Sequence, residues 1–433
     1  MPRVGRAVVR PADSPLNTSL RRALMLTPDE GYLDRRIAQE AATLAAGGWS
    51  VDIYAAVDRD LSWQEELPTG VRLIRPSTPT RTTPRGFAAL RSAKRSVERF
   101  VPAVGRFSDA LQYRHRDIAG EIASSRRASL TGLGPYELVV AHDIPVLPLA
   151  VELQARWASV LICDVHELFP EQTLWIKSDA GRSYWREVEN RYFPMCHGLM
   201  AVNDGVREYV TERATGRPVV TVQNTVPFME RRSLERGDVR HLYPIASGTK
   251  VMVWAGTLRP ETNLNTVITG FIEASLDGWA LAIVGDGPVR PELARLVERS
   301  GAEDRVFVGR RAAQRDLIPV LASAQIGVLS YQAASLNLEV ATPNKLYEYI
   351  QARLPIATTR LPQVTRVIDR YRNGTYVDFS SPASAGDGLR RIAAERSRIT
   401  QDMLERVAVD LCWERDAVRM TALIDELSRA PRL

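Results

Sequence analysis

Glu339-Val-Ala-Thr-Pro-Asn-Lys-Leu-Tyr-Glu348-Tyr-Ile-Gln-Ala-Arg-Leu-Pro355 reads as a loop, a helix start and a helix carrying one carboxylate on its second turn. Pro343 suits the first helical turn, and Thr342 is a candidate N-cap whose hydroxyl can accept a free backbone N–H. The N-terminus of such a helix gathers unpaired N–H groups and the positive end of the macrodipole, which makes it a seat for phosphate. From one to two turns further in, the Glu348 carboxylate can accept hydrogen bonds from a ribose diol. Taken alone, the stretch reads equally well as a helix packed between strands with Glu348 in solvent.

The context decides between these readings. Upstream, Val251-Met-Val-Trp254 is a short apolar strand ending in Ala255-Gly256-Thr257, and 264–274 has helical spacing. Strand 280–284 ends in Gly285-Asp-Gly-Pro288. Helix 291–300, strand 306–308, helix 317–324 and strand 326–329 follow, and Pro355-Ile-Ala-Thr358 is the strand after the quoted helix. This alternation is the mark of a parallel α/β sheet. Gly285-x-Gly-x-x-Arg290 lacks the third glycine of a dinucleotide fingerprint, and the chain has no P-loop.

The first half repeats the pattern. Strand 23–27 runs into the turn Pro28-Asp-Glu-Gly31, helix 34–46 stops at Gly47-Gly48, and strand 51–54 follows. Such a unit is a right-handed crossover. Ligands of open parallel sheets bind beyond the C-terminal strand ends, so Gly31 stands where backbone can approach one closely. Strand 138–141 ends at His142-Asp143. After helix 146–157, strand 160–163 ends at Asp164-Val-His166-Glu167. A lone histidine is more often a surface or satisfied core residue. Two clusters at neighbouring strand ends point instead to a site. His166-Glu-Leu-Phe-Pro170 is not an HExxH zinc motif, because Pro170 stands in the second histidine's place. Helix 184–192 and strands 198–202 and 219–223 complete this half. Two doubly wound halves, 21–229 and 250–410, are therefore expected, joined by a polar linker at 230–249. Residues 1–20 are a polar tail and 411–433 a terminal helix. The facing strand ends would form an interdomain cleft.

Composition narrows the function classes. A length of 433 residues suits two or three domains, and 45% hydrophobic with 25% charged residues is ordinary for a globular protein. Cys163, Cys196 and Cys412 are widely spaced, which suggests buried thiols in a reducing compartment. No apolar run reaches the roughly 18 residues of a membrane span, and no signal peptide is evident, so a cytoplasmic protein is expected. Basic charge is local: segment 81–127 carries eleven Lys and Arg against four acidic residues, while the chain's formal charge is +6. The segment's apolar residues recur at helical spacing. It reads as a solvated basic face or as a patch for an anionic membrane surface or acceptor. Nucleic acid is not expected, since aromatics are not interleaved for stacking.

Several motifs together resemble a known family. Asp34-Arg-Arg-Ile-Ala-Gln-Glu-Ala-Ala-Thr-Leu, Asp164-Val-His-Glu-Leu-Phe-Pro-Glu171, Ile283-Val-Gly-Asp-Gly-Pro288, Pro343-Asn-Lys-Leu-Tyr-Glu-Tyr349 and Cys412-Trp-Glu occur in the order of a GT-B glycosyltransferase of the retaining family 4 group. The loop at 164–171 resembles its "DAHE" variant. The resemblance implies a retaining transfer of sugar from a nucleotide-sugar donor, with no metal or other cofactor. It implies that Glu348 binds ribose, that the backbone of Thr342, Pro343, Asn344, Lys345 and Leu346 meets the diphosphate, and that Gly256 and Thr257 lie beside it. Val308 and Arg310 would lie near the base. His166 would contact the donor sugar, Gly31 would belong to the loop over the reaction centre, and Asp143 and Glu167 would position the acceptor. The acceptor would be a cell-envelope glycan, a lipid-linked intermediate or a small natural product, and the terminal helix would cross back to the first domain. The chain departs from the family at Thr257 and Thr262, where Arg and Lys are common, with Arg259, Arg310 or Lys345 as candidate replacements. It departs again at Val340, where a glutamate is usual and Glu339 stands one place off. The absent cations favour a second reading, a non-catalytic subunit supporting an active partner. A nucleotide-sugar epimerase is a third.

Overall fold

The computed structural model describes residues 21–30, 34–56, 64–75, 109–110, 112–114, 116–172, 176–331 and 335–429. Gly31, Asp58-Arg-Asp60, whose spacing resembles a DxD metal motif but reads as a turn after a strand, and residues 81–108 of the basic segment lie outside this set. Two parallel sheets form the frame. The first contains β1 (Arg21–Glu30), β2 (Trp49–Ala56), β3 (Gln64–Glu66), β4 (Arg72–Ile74), β5 (Leu138–His142), β6 (Val160–Val165), β7 (Gly198–Ala201) and β8 (Val219–Thr221). Its order is β3-β4-β2-β1-β5-β6-β7-β8, parallel except for the β3–β4 pair. The second contains β9 (Lys250–Ala255), β10 (Trp279–Val284), β11 (Val306–Arg310), β12 (Ile326–Leu329), β13 (Ile356–Thr358) and β14 (Gly374–Tyr376), in the order β11-β10-β9-β12-β13-β14. The order reverses between β1 and β5 and between β9 and β12. Those are the topological switch points where open α/β sheets bind ligands.

Alternate residues of the central strands enter opposite core layers. Leu24 and Leu26 join one cluster, and Ala23 and Met25 the other. Likewise Val251, Val253 and Ala255 face away from Met252 and Trp254. Both faces of each sheet are thus covered, which is why these strands are continuous apolar runs. Segment 231–245 is polar in sequence but not loose: Val239, Tyr243 and Ile245 are buried in the second domain's core. At the C-terminus, helix Gln401–Asp410 packs Val407 and Ala408 into that same core. The next helix, Trp413–Arg429, buries Met420, Leu423 and Ile424 in the first domain. Each such side chain contributes about 1.5–3 kcal/mol on full burial, so the crossing holds the two domains together. Trp413 Nε1 adds a hydrogen bond to Thr43 Oγ1 at 2.9 Å.

Gly256 and Gly285 stand at adjacent strand ends, with φ of +136° and +154°. A Cβ on Gly285 would lie 1.8 Å from the Gly256 carbonyl oxygen, and one on Gly256 would lie 2.5 Å from Lys345 Nζ. Side chains are therefore excluded where the two loops approach each other at the second domain's switch point.

Of the basic segment, residues 116–127 include helix Ile118–Arg127, and three of its arginines are engaged within the protein. Arg116 pairs with Glu121, Arg127 with Glu152, and Arg126 donates to the Thr27 carbonyl. Among the described residues no helix is long and apolar enough to cross a membrane.

Candidate functional site

The site is built from the C-terminal ends of four strands and two helix starts. In the first domain β5 and β6 run parallel with His142 opposite Asp164. Helix Arg35–Ala46 follows β1 and is capped by Asp34, whose carboxylate accepts from Arg36 N at 2.7 Å. Arg36 then reaches back under the sheet edge. Its Nε and Nη2 donate to the two Asp164 oxygens at 2.7 and 2.6 Å, and its Nη1 to the Val222 carbonyl at 2.7 Å. All of these groups are fully buried. A bidentate guanidinium–carboxylate pair of this kind is both strong and geometrically specific.

Asp164 in turn orients the imidazole of His166, whose Nε2 lies 2.8 Å from Asp164 Oδ2. The His142 Nδ1 sits 3.2 Å from both that oxygen and His166 Nε2. Asp143 accepts from the His166 backbone N–H at 2.9 Å and lies 3.7 Å from His166 Nδ1. Asp143 adopts φ +62°, ψ 168°, a conformation that costs a non-glycine residue about 1–3 kcal/mol. The His142, Asp164 and His166 ligand atoms lie within 4.8 Å of one another, as metal ligands would. Both Asp164 oxygens already face Arg36, however, and that like charge opposes a cation there.

Burial and charge set the protonation states. Burial alone would raise the Asp164 carboxyl, but Arg36 and His166 outweigh it and hold Asp164 well below the usual carboxylate range. His166 is lowered by burial and raised more strongly by Asp143 and Asp164, to about 10, so it is an imidazolium at neutral pH. Burial pushes Asp143 up to about 7 and lowers His142, which is therefore neutral. Glu40, one turn after Arg36, is raised by burial and by Asp164. His166 and Asp143 are the partly exposed members of the cluster, with 17% and 14% of their side chains exposed.

In the second domain the helix beginning the quoted stretch runs Asn344–Gln351. It starts one residue later than expected. Pro343 occupies the cap position at ψ 137°, and the Thr342 hydroxyl accepts from Asn203 Nδ2 at 2.8 Å instead of capping the helix. The ring of Pro343 fixes its own φ, and Asn203 of the first domain draws the hydroxyl away. Glu348 is buried on the second turn, 7% exposed, and its Oε1 accepts from Arg35 Nη1 at 2.8 Å. Lys345 projects back toward Gly256. Its Nζ donates to Tyr331 Oη at 2.6 Å and lies 4.8 Å over the Trp254 ring.

Between the domains lies a cleft of about 410 Å³. Thr257, Arg259, Thr262, Tyr331 and Lys345 of the second domain line it together with Glu167 of the first. Asn337 closes one side: its Nδ2 donates to Glu167 Oε2 at 2.7 Å and its Oδ1 accepts from Leu168 N at 2.9 Å. Thr262 is buried, its hydroxyl turned to the Arg259 carbonyl. Lys345 and Arg259 thus share the cleft with the two threonines that stand in place of cations. Asn344 accepts from Asn224 at 2.9 Å across the domains, and Leu346 is buried in the core beneath. Val308 and Arg310 are not brought there. Their side chains line a separate cavity with Tyr243 and Phe307. Glu339 is exposed, and Val340 packs partly against the first domain's core.

Arg35, Arg36, Glu40, Asn337 and Tyr331 were not singled out from sequence. Arg36 and Glu40 did carry a signal: they share the helix face of Ile37, Ala41 and Leu44, where charge must be paired to be buried.

Comparison with known proteins agrees with this architecture. Residues 33–225 match the family described as Glycosyl transferase 4-like domain, and residues 249–395 the family described as Glycosyl transferases group 1. No curated protein matches the chain in sequence. Sucrose-phosphate synthase (tll1590) from Thermosynechococcus elongatus superposes with a TM-score of 0.67 at 15% identity, over 94% of this chain and 99% of that one. An alpha,alpha-trehalose-phosphate synthase (UDP-forming) from Burkholderia vietnamiensis gives 0.62 at 13%, over 94% and 100%. Anabaena Alr3699/HepE in complex with UDP and glucose gives 0.62 at 10%, over 94% and 100%. At these identities the superpositions speak for the fold alone. The matched families follow one another along most of the sequence, one on each sheet, and the chain accordingly belongs to the GT-B glycosyltransferases of the family 4-like type.

Proposed function

We propose that the protein transfers a sugar from a nucleotide-sugar donor, with retention of configuration and without a metal, to an acceptor held by the first domain. The observation that carries this reading is the interdomain cleft, which Lys345 and Arg259 of the second domain line together with Glu167 of the first, the neighbour of His166 in sequence. Glu348 would accept from the ribose diol. The start of helix Asn344–Gln351 would receive the diphosphate, aided by its dipole. Lys345 lies against Gly256 and Thr257, so its ammonium would take over the stabilisation of the leaving diphosphate. The His166 imidazolium would meet the sugar and the developing charge from the opposite wall. Closure of the cleft would exclude water and limit hydrolysis. Asp143 and Glu167 would position an acceptor from the glycan, lipid-linked or small natural-product classes.

A non-catalytic subunit would bind a partner or nucleotide without turnover. An epimerase would turn over without an acceptor.

Calorimetric titration with UDP, GDP, dTDP and ADP, without metal and then with Mg²⁺, tests the proposal. One nucleotide should bind without metal; UDP is the first choice because a solved structure of the same fold holds it. Glu348→Ala should weaken that binding about 10- to 100-fold, the range of a lost charge-assisted hydrogen bond. Failure of all four nucleotides to bind would overturn the transferase reading. Unchanged affinity in Glu348→Ala would remove the ribose role.

A further inference from the structure

We infer that Arg35, a residue of the acceptor-side domain, is a positioning residue of the donor site: it holds the Glu348 carboxylate in place for the ribose and couples donor binding to domain closure. The inference rests on the ribose role proposed for Glu348.

Three observations carry it. The first is geometry. Arg35 opens the helix that follows β1, and its Nη1 donates to Glu348 Oε1 at 2.8 Å, joining positions 313 residues apart. Its Nη2 lies 3.5 Å from the Asn224 carbonyl, which keeps the guanidinium beside the interdomain crossing. Among the described residues Glu348 Oε2 takes no hydrogen bond, so the carboxylate keeps an acceptor for a diol while Arg35 fixes its other oxygen.

The second is environment. Arg366 also pairs across the domains, with Asp204 and Glu208, but all three side chains are about half exposed. Pairs of that kind contribute little. The Arg35 and Glu348 side chains are only 23% and 10% exposed. Removing one partner there leaves a charge in a poorly solvated place.

The third is an orphan donor. Arg35 Nε is buried without a hydrogen-bond partner among the described residues. An unpaired N–H is thus left on the same guanidinium that holds Glu348. Other hydrogen bonds across this seam are not ion pairs: Asn203 with Val340, Asn224 with Asn344, Gln223 with Tyr347, and Asn337 with the Glu167 carboxylate. Arg35–Glu348 is thus the shielded ionic contact of the seam, and it is made by the residue that would grip the donor. Where the closed form is the binding form, a contact that populates it raises apparent affinity.

The test uses the full chain and UDP, or whichever of the four nucleotides the titration identifies. Arg35→Ala should weaken nucleotide binding about tenfold, the effect of one shielded charged contact. Without nucleotide, its small-angle scattering radius should increase. Arg35→Lys should restore part of the affinity by keeping the charge. The double variant Arg35→Ala/Glu348→Ala should bind no more than about twofold more weakly than Glu348→Ala alone, since both act through one pair. If Glu348→Ala weakens binding while Arg35→Ala binds as well as the wild type, or better, the inference fails and the ribose role stands. If Glu348→Ala leaves binding unchanged, the ribose role fails first and the inference with it.

Discussion

Asp164→Ala is expected to cost about 3–5 kcal/mol of stability, the range for removing one partner of a buried ion pair. The carboxylate is fully buried and takes both arms of the Arg36 guanidinium, at 2.7 and 2.6 Å. It also holds His166 and faces His142. With Asp164 gone, Arg36 would be left with Glu40, 3.0 Å away, as its neighbouring carboxyl, and burial still opposes ionisation of that group. For a domain of this size the loss corresponds to a melting shift of roughly 10 °C. Because the native Asp164 carboxyl is held below its ordinary value, its contribution is fully present above pH ~4 and is lost as pH falls through the native value. The gap between wild type and Asp164→Ala should accordingly narrow in acid. Replacing the pair together, Arg36→Met with Asp164→Leu, should recover much of the loss, since buried ion pairs are often exchanged for apolar side chains at little cost. A drop below about 1 kcal/mol for Asp164→Ala would mean that water or another group already compensates Arg36.

The fold was legible where burial wrote it into the sequence. β9, β10 and β12 are short apolar runs because both faces of the sheet are covered, and the helix Leu264–Ala274 was read to the residue. The strands that escaped notice are β3, β4 and β14, each three residues long. β3 is Gln64-Glu-Glu66, wholly exposed, and its pairing with β4 is a tertiary fact that leaves no periodicity behind. The helix start at Asn344 was misjudged by one residue because the competitor for the Thr342 hydroxyl, Asn203, is 139 positions away.

The site divides in the same way. His166, Glu167, Lys345 and Glu348 stand in motifs with local signatures; Glu167 and Lys345 line the interdomain cleft, His166 is partly exposed and Glu348 is buried. What tunes them is non-local. Arg36 reaches His166 only through Asp164, 128 residues on, and Arg35 meets Glu348 from the other domain. A pair of charges on an apolar helix face was visible at 36 and 40, but no local rule names their partners. The loss of the expected cations at 257 and 262 looked from sequence like a defect. In the structure the ammonium of Lys345 lies against Gly256, close to where one of them would be, held by Tyr331 and the Trp254 ring. That a cation from a different segment stands beside Gly256 is shown only by proximity in space.

His166→Ala should lower turnover about 10²- to 10³-fold, the usual effect of deleting a preorganised donor aimed at developing charge, while nucleotide affinity stays within about twofold. The imidazole is fixed by Asp164 on one side, and its backbone N–H is fixed by Asp143. It is a partly exposed end of the buried network and makes no hydrogen bond to Glu348 or Lys345, so its loss removes a charge without disturbing either. Burial opposes the imidazolium, but the carboxylates of Asp143 and Asp164 prevail and raise it to about 10. An inflection near neutral pH would therefore report Asp143, raised to about 7, and not the imidazole. The rate should fall as pH rises toward 10, where the cation is lost. Asp143, raised by burial to about 7, gives up its proton in the neutral range, and each step in that direction strengthens the imidazolium further. The stability linked to His166 has the same sign: fully present below about 6.5 and lost as pH rises through about 10. His166→Gln, which keeps a hydrogen-bond donor but no charge, separates the two contributions. It should fall between wild type and alanine and lose the alkaline limb of the profile. Full turnover in His166→Ala, or a wild-type rate that does not fall as pH rises toward 10, would place the imidazole outside the reaction and leave it as the outer end of a structural ion network.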